Sequence, residues 1–231
     1  PQVSHEDYLE LVSMRQSVLE LKAQKSDVLE FVTTAQQYMA QMQQAQERLN
    51  VLNEAGKISR SHGIPKHILD QQSAAIGLPI KTISSSWQDY ENNFVEALET
   101  LKKEHSISYA VFGDIDLQPH RDWEEKVCNK VGIEAVLPLW QQDRKLLVTE
   151  MLHAGIETII VSCNETMGEH FLGKTLTPAV IEEIESIGVD ACGENGEFHT
   201  LVLNCPLFSK RIDVSIVEKV KHENYWFCIL E

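Results

Sequence analysis

The sequence is short of positive charge and has no long hydrophobic run. Twenty Lys and Arg residues face 35 Asp and Glu residues, so the 231-residue chain carries a formal net charge of −15 at pH 7. This excess of negative charge disfavours nonspecific binding to nucleic acids and to anionic membranes. No apolar run approaches the roughly 20 residues that span a bilayer, and the polar start PQVSHEDYLE lacks the layout of a signal peptide. We therefore expect a cytoplasmic protein that binds neither nucleic acid nor membrane.

Cysteine is sparse and follows no metal-binding or disulfide pattern. The five cysteines, at positions 128, 163, 192, 205 and 228, are odd in number and form no CxxC pair. This excludes a disulfide framework and a thiolate zinc site as expectations. We expect most of the thiols to be reduced and buried. Cys192 opens a polar loop, and a core or loop-lining thiol is a better interpretation of it than a nucleophile.

Glycine and proline are absent between Pro1 and Gly56, which predicts a continuous helix over about residues 5–50. Apolar residues there recur at alternating steps of three and four, which is the a/d pattern of a heptad repeat. They are Leu11, Met14, Val18, Leu21, Val28, Val32, Ala35, Met39, Met42 and Leu49. Two interpretations stay open: a coiled coil or helical hairpin that makes a homo-oligomer, and an amphipathic helix packed on its own domain.

After Gly56 the pattern changes to helices alternating with strands. Predicted helix–strand pairs cover residues 68–83, 87–115, 120–140 and 143–164, and a helix at 177–188 begins with Thr177 as N-cap and Pro178 in its first turn. This alternation predicts right-handed crossovers and a parallel sheet. Ligands bind such sheets beyond the carboxyl ends of the strands. The positions nominated there are Gly113, Asp114, Ile115, Ser162 and Asn164.

The stretch CGENGEFHT, residues 192–200, contains two carboxylates, an amide and a histidine within nine residues. Its two glycines, Gly193 and Gly196, would each cost about 1 kcal/mol inside a helix. A glycine-hinged loop is therefore the better prediction, and such a loop would direct its polar side chains at one point. These are Glu194, Asn195, Glu197 and His199. The alternative is a tight turn with solvated carboxylates.

Five stretches together resemble the diphthine-ammonia ligase family of PP-loop ATP pyrophosphatases, over roughly residues 50–231. In order, they are GKISRSHGIP (56–65), VFGDIDLQPHRDW (111–123), VLPLW (136–140), CGENGEFHTLVLNCPLF (192–208) and HENYWF (222–227). The resemblance implies an α/β fold with a HUP-like parallel sheet flanked by helices and a smaller C-terminal subdomain. The predicted organisation is a helical segment at 1–50, an ATP-pyrophosphatase-like domain at 51–165 and a substrate-binding subdomain at 166–231.

The resemblance also implies ATP-dependent amide formation. A carboxylate is adenylated, pyrophosphate leaves, and ammonia displaces AMP; the family's substrate in archaea and eukaryotes is diphthine, a modified histidine on a translation elongation factor. Magnesium would neutralise the phosphate charge, and it prefers carboxylate and other oxygen ligands.

The resemblance assigns three groups of candidate site residues. Catalytic roles fall to Glu194, Asn195, Glu197 and His199; contacts with ATP to Ser59, His62, Gly113, Asp114, His120 and Arg121; and substrate contacts to Trp140, Gly193 and Gly196, with Asp114 also the candidate Mg²⁺ ligand. By residue type alone, a helix-surface ion pair is the better interpretation of Arg121 and a hydrogen-bonded strand histidine that of His199; the resemblance favours the functional roles.

The sequence departs from the family pattern in one respect. It contains no SGGKDS-type phosphate loop, and its only glycines before residue 64 are Gly56 and Gly63. Two hypotheses from different classes therefore stay open. One is the ligase, acting on diphthine or, as a paralogue, on another carboxylate. The other is a noncatalytic or partner-dependent derivative that binds a ligand and self-associates through the N-terminal helix.

Overall fold

The structure, a computed structural model, describes residues 47–231, which belong to one compact unit. The helical segment predicted for residues 1–50 lies outside the described residues except at its end. There the predicted helix extends too far, because Arg48–Leu52 form the first strand, β1. Leu49, interpreted as a heptad position, packs instead against a hydrophobic cluster that contains Leu98 and Val127. Leu49 and Val51 also alternate at strand spacing, so the two patterns overlap here.

Residues 48–136 alternate strands with helices, as predicted. The elements after β1 are α1 (Lys66–Ile76), β2 (Ile80–Ser84), α2 (Tyr90–His105), β3 (Tyr109–Val111), α3 (Gln118–Val131) and β4 (Glu134–Val136). Strand β1 pairs in parallel with β2, and β3 pairs in parallel with β4. Each pair is connected through one helix, so parallel α/β units are confirmed for this half of the described chain. The two pairs are separate two-stranded sheets, however, and not the single parallel sheet that was predicted.

The second half is built on an antiparallel sheet, which corrects the prediction of parallel strands throughout. Its elements are α4 (Arg144–His153), β5 (Glu157–Asn164), a short 3₁₀ turn (Glu169–Phe171), α5 (Pro178–Ser186), β6 (Phe198–Asn204), β7 (Ile216–His222) and β8 (Tyr225–Leu230). The strand order is β6-β5-β8-β7, and every pairing is antiparallel. The loop after α5 turns the chain back through two glycines with positive φ, at 193 and 196, so β6 enters the sheet antiparallel to β5.

Strand β5 belongs to this antiparallel sheet, so the domain boundary predicted at residues 165 and 166 separates β5 from its own neighbours β6 and β8. A helix followed by a strand gives no information on the direction in which that strand will pair. The prediction therefore assigned β5 to the preceding α/β repeat.

Two helix ends follow the predicted local chemistry. Gly77 ends α1 with φ of 72°, in the left-handed region that glycine adopts at low cost. At the start of α5, the Thr177 hydroxyl accepts a hydrogen bond from the Val180 N–H, and Pro178 occupies the first turn. These local signals fix the helix limits without tertiary contacts.

The larger of the two hydrophobic clusters in residues 47–231 lies between the antiparallel sheet and the helices that cover it. Ile160, Ile184 and Leu201 are completely buried in it. All five cysteines are free thiols, and Cys128, Cys163 and Cys228 are buried. Among the described residues, no helix combines the length and the apolar character needed to cross a membrane.

Leu201→Ala should lower the free energy of unfolding by about 2–5 kcal/mol, because it leaves a cavity at a fully buried position. Val217→Ala is the matched control on the same sheet: this side chain is 57% exposed, and the change should be within about 0.5 kcal/mol of wild type. Urea unfolding followed by circular dichroism measures both variants. Similar losses in the two variants would contradict the placement of β6 in the core.

Candidate functional site

The stretch 192–200 forms a glycine-hinged turn that leads into β6, as predicted. Gly193 has φ of 67°, and a Cβ atom there would lie 2.8 Å from the Phe198 ring and 2.9 Å from the Phe198 carbonyl oxygen. Gly196 has φ of 83°, and its carbonyl accepts a hydrogen bond of 2.9 Å from the Tyr225 hydroxyl. Both the backbone conformation and the close contact with Phe198 require glycine at 193.

Glu194 connects this loop to the carboxyl end of β3. The Ile115 N–H donates to Glu194 Oε1 over 2.8 Å. Ile115 directly follows Gly113 and Asp114, the strand-end positions that the sequence nominated. The loop and the strand end, 79 positions apart in sequence, therefore form one site.

Three carboxyl groups approach each other at this junction. Asp114 Oδ1 lies 2.7 Å from His120 Nδ1, and the Asp114 carboxyl group is also close enough to Glu124 to raise its pKa. Glu124 is only 4% exposed, and its Oε2 atom is buried without a hydrogen-bond partner. Burial first, and then the neighbouring Asp114, raises the pKa of Glu124 to about 9, and burial also raises the pKa of Glu194. The junction is thus rich in acidic oxygens that have few partners.

Glu124 was missed by the sequence analysis, although a signal for it exists. It lies four residues after His120 on α3, so both side chains belong to one helix face. The next turn of that face carries Val127 and Cys128, which are fully buried. A carboxylate on the apolar face of a helix is rarely buried without a specific role.

Two histidines form a second group. The rings of His62 and His199 have centroids 4.6 Å apart and are tilted by 46°. Burial lowers the pKa of His62 to about 4, with a smaller contribution from His199, and burial also lowers the pKa of His199. Both imidazoles are therefore neutral at pH 7, when each ring has one nitrogen free to accept a proton.

The turn that carries His62 is fixed by backbone hydrogen bonds around Ser59. The Ser59 N–H donates to the Ile64 carbonyl, and the Gly63 N–H donates to the Ser59 carbonyl, at 2.8 and 2.9 Å. Ser59 itself is buried. The structure therefore places Ser59 in the support of the His62 loop.

The remaining predicted residues divide between the loop and α3. Asn195 donates to Glu197 Oε1 over 3.1 Å, while Glu197 Oε2 is buried without a partner. Arg121 forms an ion pair of 2.7 Å with Glu125, and its guanidinium lies 5.0 Å from the centre of the Trp140 ring. Arg121 thus makes the surface ion pair that its residue type also predicted, together with a cation–π contact.

Cys192 does not have the features of a nucleophile. Burial raises the pKa of its thiol to about 12, and the thiol donates a hydrogen bond to the Arg144 carbonyl over 2.7 Å. A thiol in this state carries almost no thiolate at pH 7. It is a loop-lining residue, as the sequence analysis favoured.

The buried state of His62 predicts how stability changes with pH. The pKa is about 4 in the folded chain and near 6.5 in the unfolded chain, so the stability from a neutral His62 is complete above pH 6.5 and is lost as pH falls towards 4. The loss should amount to about 3 kcal/mol. His62→Gln should remove it, while His67→Gln, on the exposed face of α1, should keep the wild-type pH dependence. Urea unfolding at several pH values tests this, and identical pH profiles for wild type and His62→Gln would contradict it.

Comparisons with known proteins match both halves of this chain to one family. Residues 32–135 match the sequence model of the diphthamide synthase N-terminal domain, and residues 143–231 match that of the diphthamide synthase C-terminal domain. The junction between Ile115 and Glu194 therefore joins the two matched domains.

Several relatives carry the name diphthine–ammonia ligase. Those of Mus musculus and Homo sapiens are each 30% identical over 175 residues, which cover 68% of this chain and 65% of theirs. That of Danio rerio is 28% identical over 173 residues, which cover 72% of this chain and 67% of its own. The chain thus spans 65% of the mouse and human proteins. From the two domain matches and these relatives, we conclude that the chain belongs to the diphthamide synthase family.

Proposed function

We propose that this protein is an ATP-dependent ligase that converts the carboxylate of diphthine into an amide with ammonia. The carboxylate oxygen attacks the α-phosphorus of ATP and pyrophosphate leaves; the ammonia nitrogen then attacks the acyl carbon, AMP leaves, and a base takes the proton from nitrogen. The main support is the hydrogen bond between Ile115 and Glu194, since it brings the polar loop at 192–200 to the end of a parallel strand. Family membership and the names of the relatives agree with this reaction.

The acidic junction is suited to hold magnesium together with a nucleotide. Proteins often bind Mg²⁺ through one or two carboxylates plus phosphate oxygens rather than through a complete protein cage. Asp114 and Glu124 would supply these carboxylates, and the orphaned, buried Oε2 atom of Glu124 fits such a role. When bound, the ion would neutralise charge on the triphosphate and on the departing pyrophosphate.

A compact group of three metal-ligating side chains lies elsewhere. Within residues 47–231, only Glu47, Glu104 and His105 form a group of three whose possible ligand atoms all lie within 4.8 Å of one another. His105 is paired with Glu47 at 3.0 Å and Glu104 with Lys81 at 2.8 Å, so both carboxyl groups already have partners. We therefore keep the Asp114 side of the molecule as the proposed magnesium site.

Other predicted site residues would bind phosphate and take the proton from the attacking amine. His120 is exposed beside Asp114, and Arg121 can leave its surface pair with Glu125 to hold a phosphate or carboxylate group with two hydrogen bonds. His199, neutral at pH 7, can accept the proton released from the amine, and His62 holds the ring in place from one side. Glu194 and Glu197 would orient the ammonia.

The direct test is an amidation assay with the complete chain. Elongation factor that carries diphthine is incubated with the protein, ATP, Mg²⁺ and an ammonium salt, and the modified histidine is analysed by mass spectrometry while AMP and pyrophosphate are quantified. We expect amide, AMP and pyrophosphate in equal amounts, and no amide when ammonium is omitted. If AMP appears only with a different carboxylate, the chemistry is correct and the substrate assignment is wrong.

Glu194→Gln should lower kcat in this assay by about 10²–10³-fold, the loss typical of a preorganised polar group at a reaction centre. The shape of the side chain is kept, and the Ile115 N–H can still donate to the amide oxygen, so the variant should remain folded. Glu218→Gln, on the exposed edge strand β7, is the control and should keep wild-type kcat. Wild-type activity in Glu194→Gln would remove this residue from the reaction.

A further inference from the structure

Arg144, the first residue of α4, bridges two acidic loops. Its Nε atom donates to Asp116 Oδ2 over 2.8 Å, and its Nη2 atom bonds Asp116 Oδ1. Its Nη1 atom lies 3.3 Å from Asp190 Oδ2. Asp116 follows β3, whereas Asp190 precedes the glycine loop. One planar guanidinium therefore holds loops from both matched domains, using the two-pronged geometry that is specific to arginine.

The same arginine is connected to the loop residues that form the site. Asp190 Oδ2 also accepts a hydrogen bond of 3.0 Å from the Glu194 N–H. The Cys192 thiol donates to the Arg144 carbonyl over 2.7 Å. The loop thus contacts both the side chain and the backbone carbonyl of Arg144. The Glu194 carboxylate, at the end of this set of contacts, meets the Ile115 N–H.

The ion pair between Arg144 and Asp190 is more sheltered from solvent than an ordinary surface pair, whereas the Asp116 side chain is 37% exposed. The side chains of Arg144 and Asp190 are only 22% and 15% exposed, so solvent screens their attraction less. The Arg144 guanidinium lowers the pKa of Asp116, which keeps that carboxylate ionised at neutral pH. The three residues also line an open cavity of about 430 Å³. Without the arginine, the two carboxylates would repel each other.

We propose that Arg144 is a positioning residue of this site. It holds Asp116 and Asp190 together, and it thereby fixes the Glu194 carboxylate against the Ile115 amide. An effect of Arg144 on catalysis rests on the proposed function. Its effect on the position of Glu194 can be tested without nucleotide or substrate.

Amide hydrogen exchange by NMR tests the proposal in wild type, Arg144→Gln, Arg144→Lys and Arg211→Gln. Arg211 is a matched control because it also bonds two carboxylates, Glu157 and Asp213, on the surface of the antiparallel half. The reporting amides are those of Ile115 and Glu194, and the amides of Ile160 and Leu201 report on the core.

In Arg144→Gln, exchange at Ile115 and Glu194 should be faster by about tenfold or more, with the core amides unchanged. Arg144→Lys should lie between wild type and Arg144→Gln, because an ammonium can pair with one carboxylate but cannot form the fork. Arg211→Gln should match wild type at all four amides. In the amidation assay, Arg144→Gln should lower kcat by about tenfold and leave the KM for ATP unchanged.

Wild-type exchange at both site amides in Arg144→Gln would overturn the proposal, as would equal acceleration of the core amides. If Arg144→Gln does not fold, Arg144→Lys decides: exchange equal to wild type would show that the two-pronged bridge is not needed. Absence of amidation by the wild-type chain would count against the proposed function, whereas the exchange rates would still decide the role of Arg144.

Discussion

The contact between the Ile115 amide and the Glu194 carboxylate is the constraint on which the candidate site depends. It joins the end of a parallel strand in the first half to a glycine loop in the antiparallel half, 79 residues later. The loop can reach that strand end because Gly193 leaves space beside the Phe198 ring. Arg144 and its two aspartates hold the loop from the other side. The site is thus formed by tertiary structure, which brings together short segments that are far apart in the sequence.

Burial acts on the two groups of the site in opposite directions, and both results favour uncharged side chains. It raises the pKa of Glu124 and Glu194, and it lowers the pKa of His62 and His199. In each case the charged form loses solvation. Sites of acid–base chemistry commonly carry such pKa shifts, in which burial favours the neutral form of acids and of bases. The same burial costs stability, since each group prefers water in the unfolded chain.

The sequence predicted those parts of the molecule that are encoded in a few adjacent residues. The glycine loop at 192–200, the end of α1 at Gly77 and the start of α5 at Thr177 follow from local chemistry, and the structure has them as predicted. Strand β3 ends at Val111, a few residues before the predicted strand end at Gly113 and Asp114. The direction of the later strands was predicted wrongly, because alternation of helices and strands does not determine how β5 and β6 pair. Arg144 was missed because one of its partners, Asp190, lies far away in the chain, whereas Glu124 was missed although its place on a buried helix face could have indicated it. The roles of the loop residues stay predictions.

Calorimetric titration of the chain with ATP and Mg²⁺ tests the central claim most directly, because it needs no knowledge of the second substrate. The account predicts saturable binding in the micromolar range that depends on magnesium and is strongly weakened by Asp114→Asn, with the exposed Asp122→Asn as a control that binds like wild type. Absence of binding at millimolar ATP, or equal binding by Asp114→Asn, would contradict the assignment of the junction between Asp114 and Glu194 as the nucleotide and metal site.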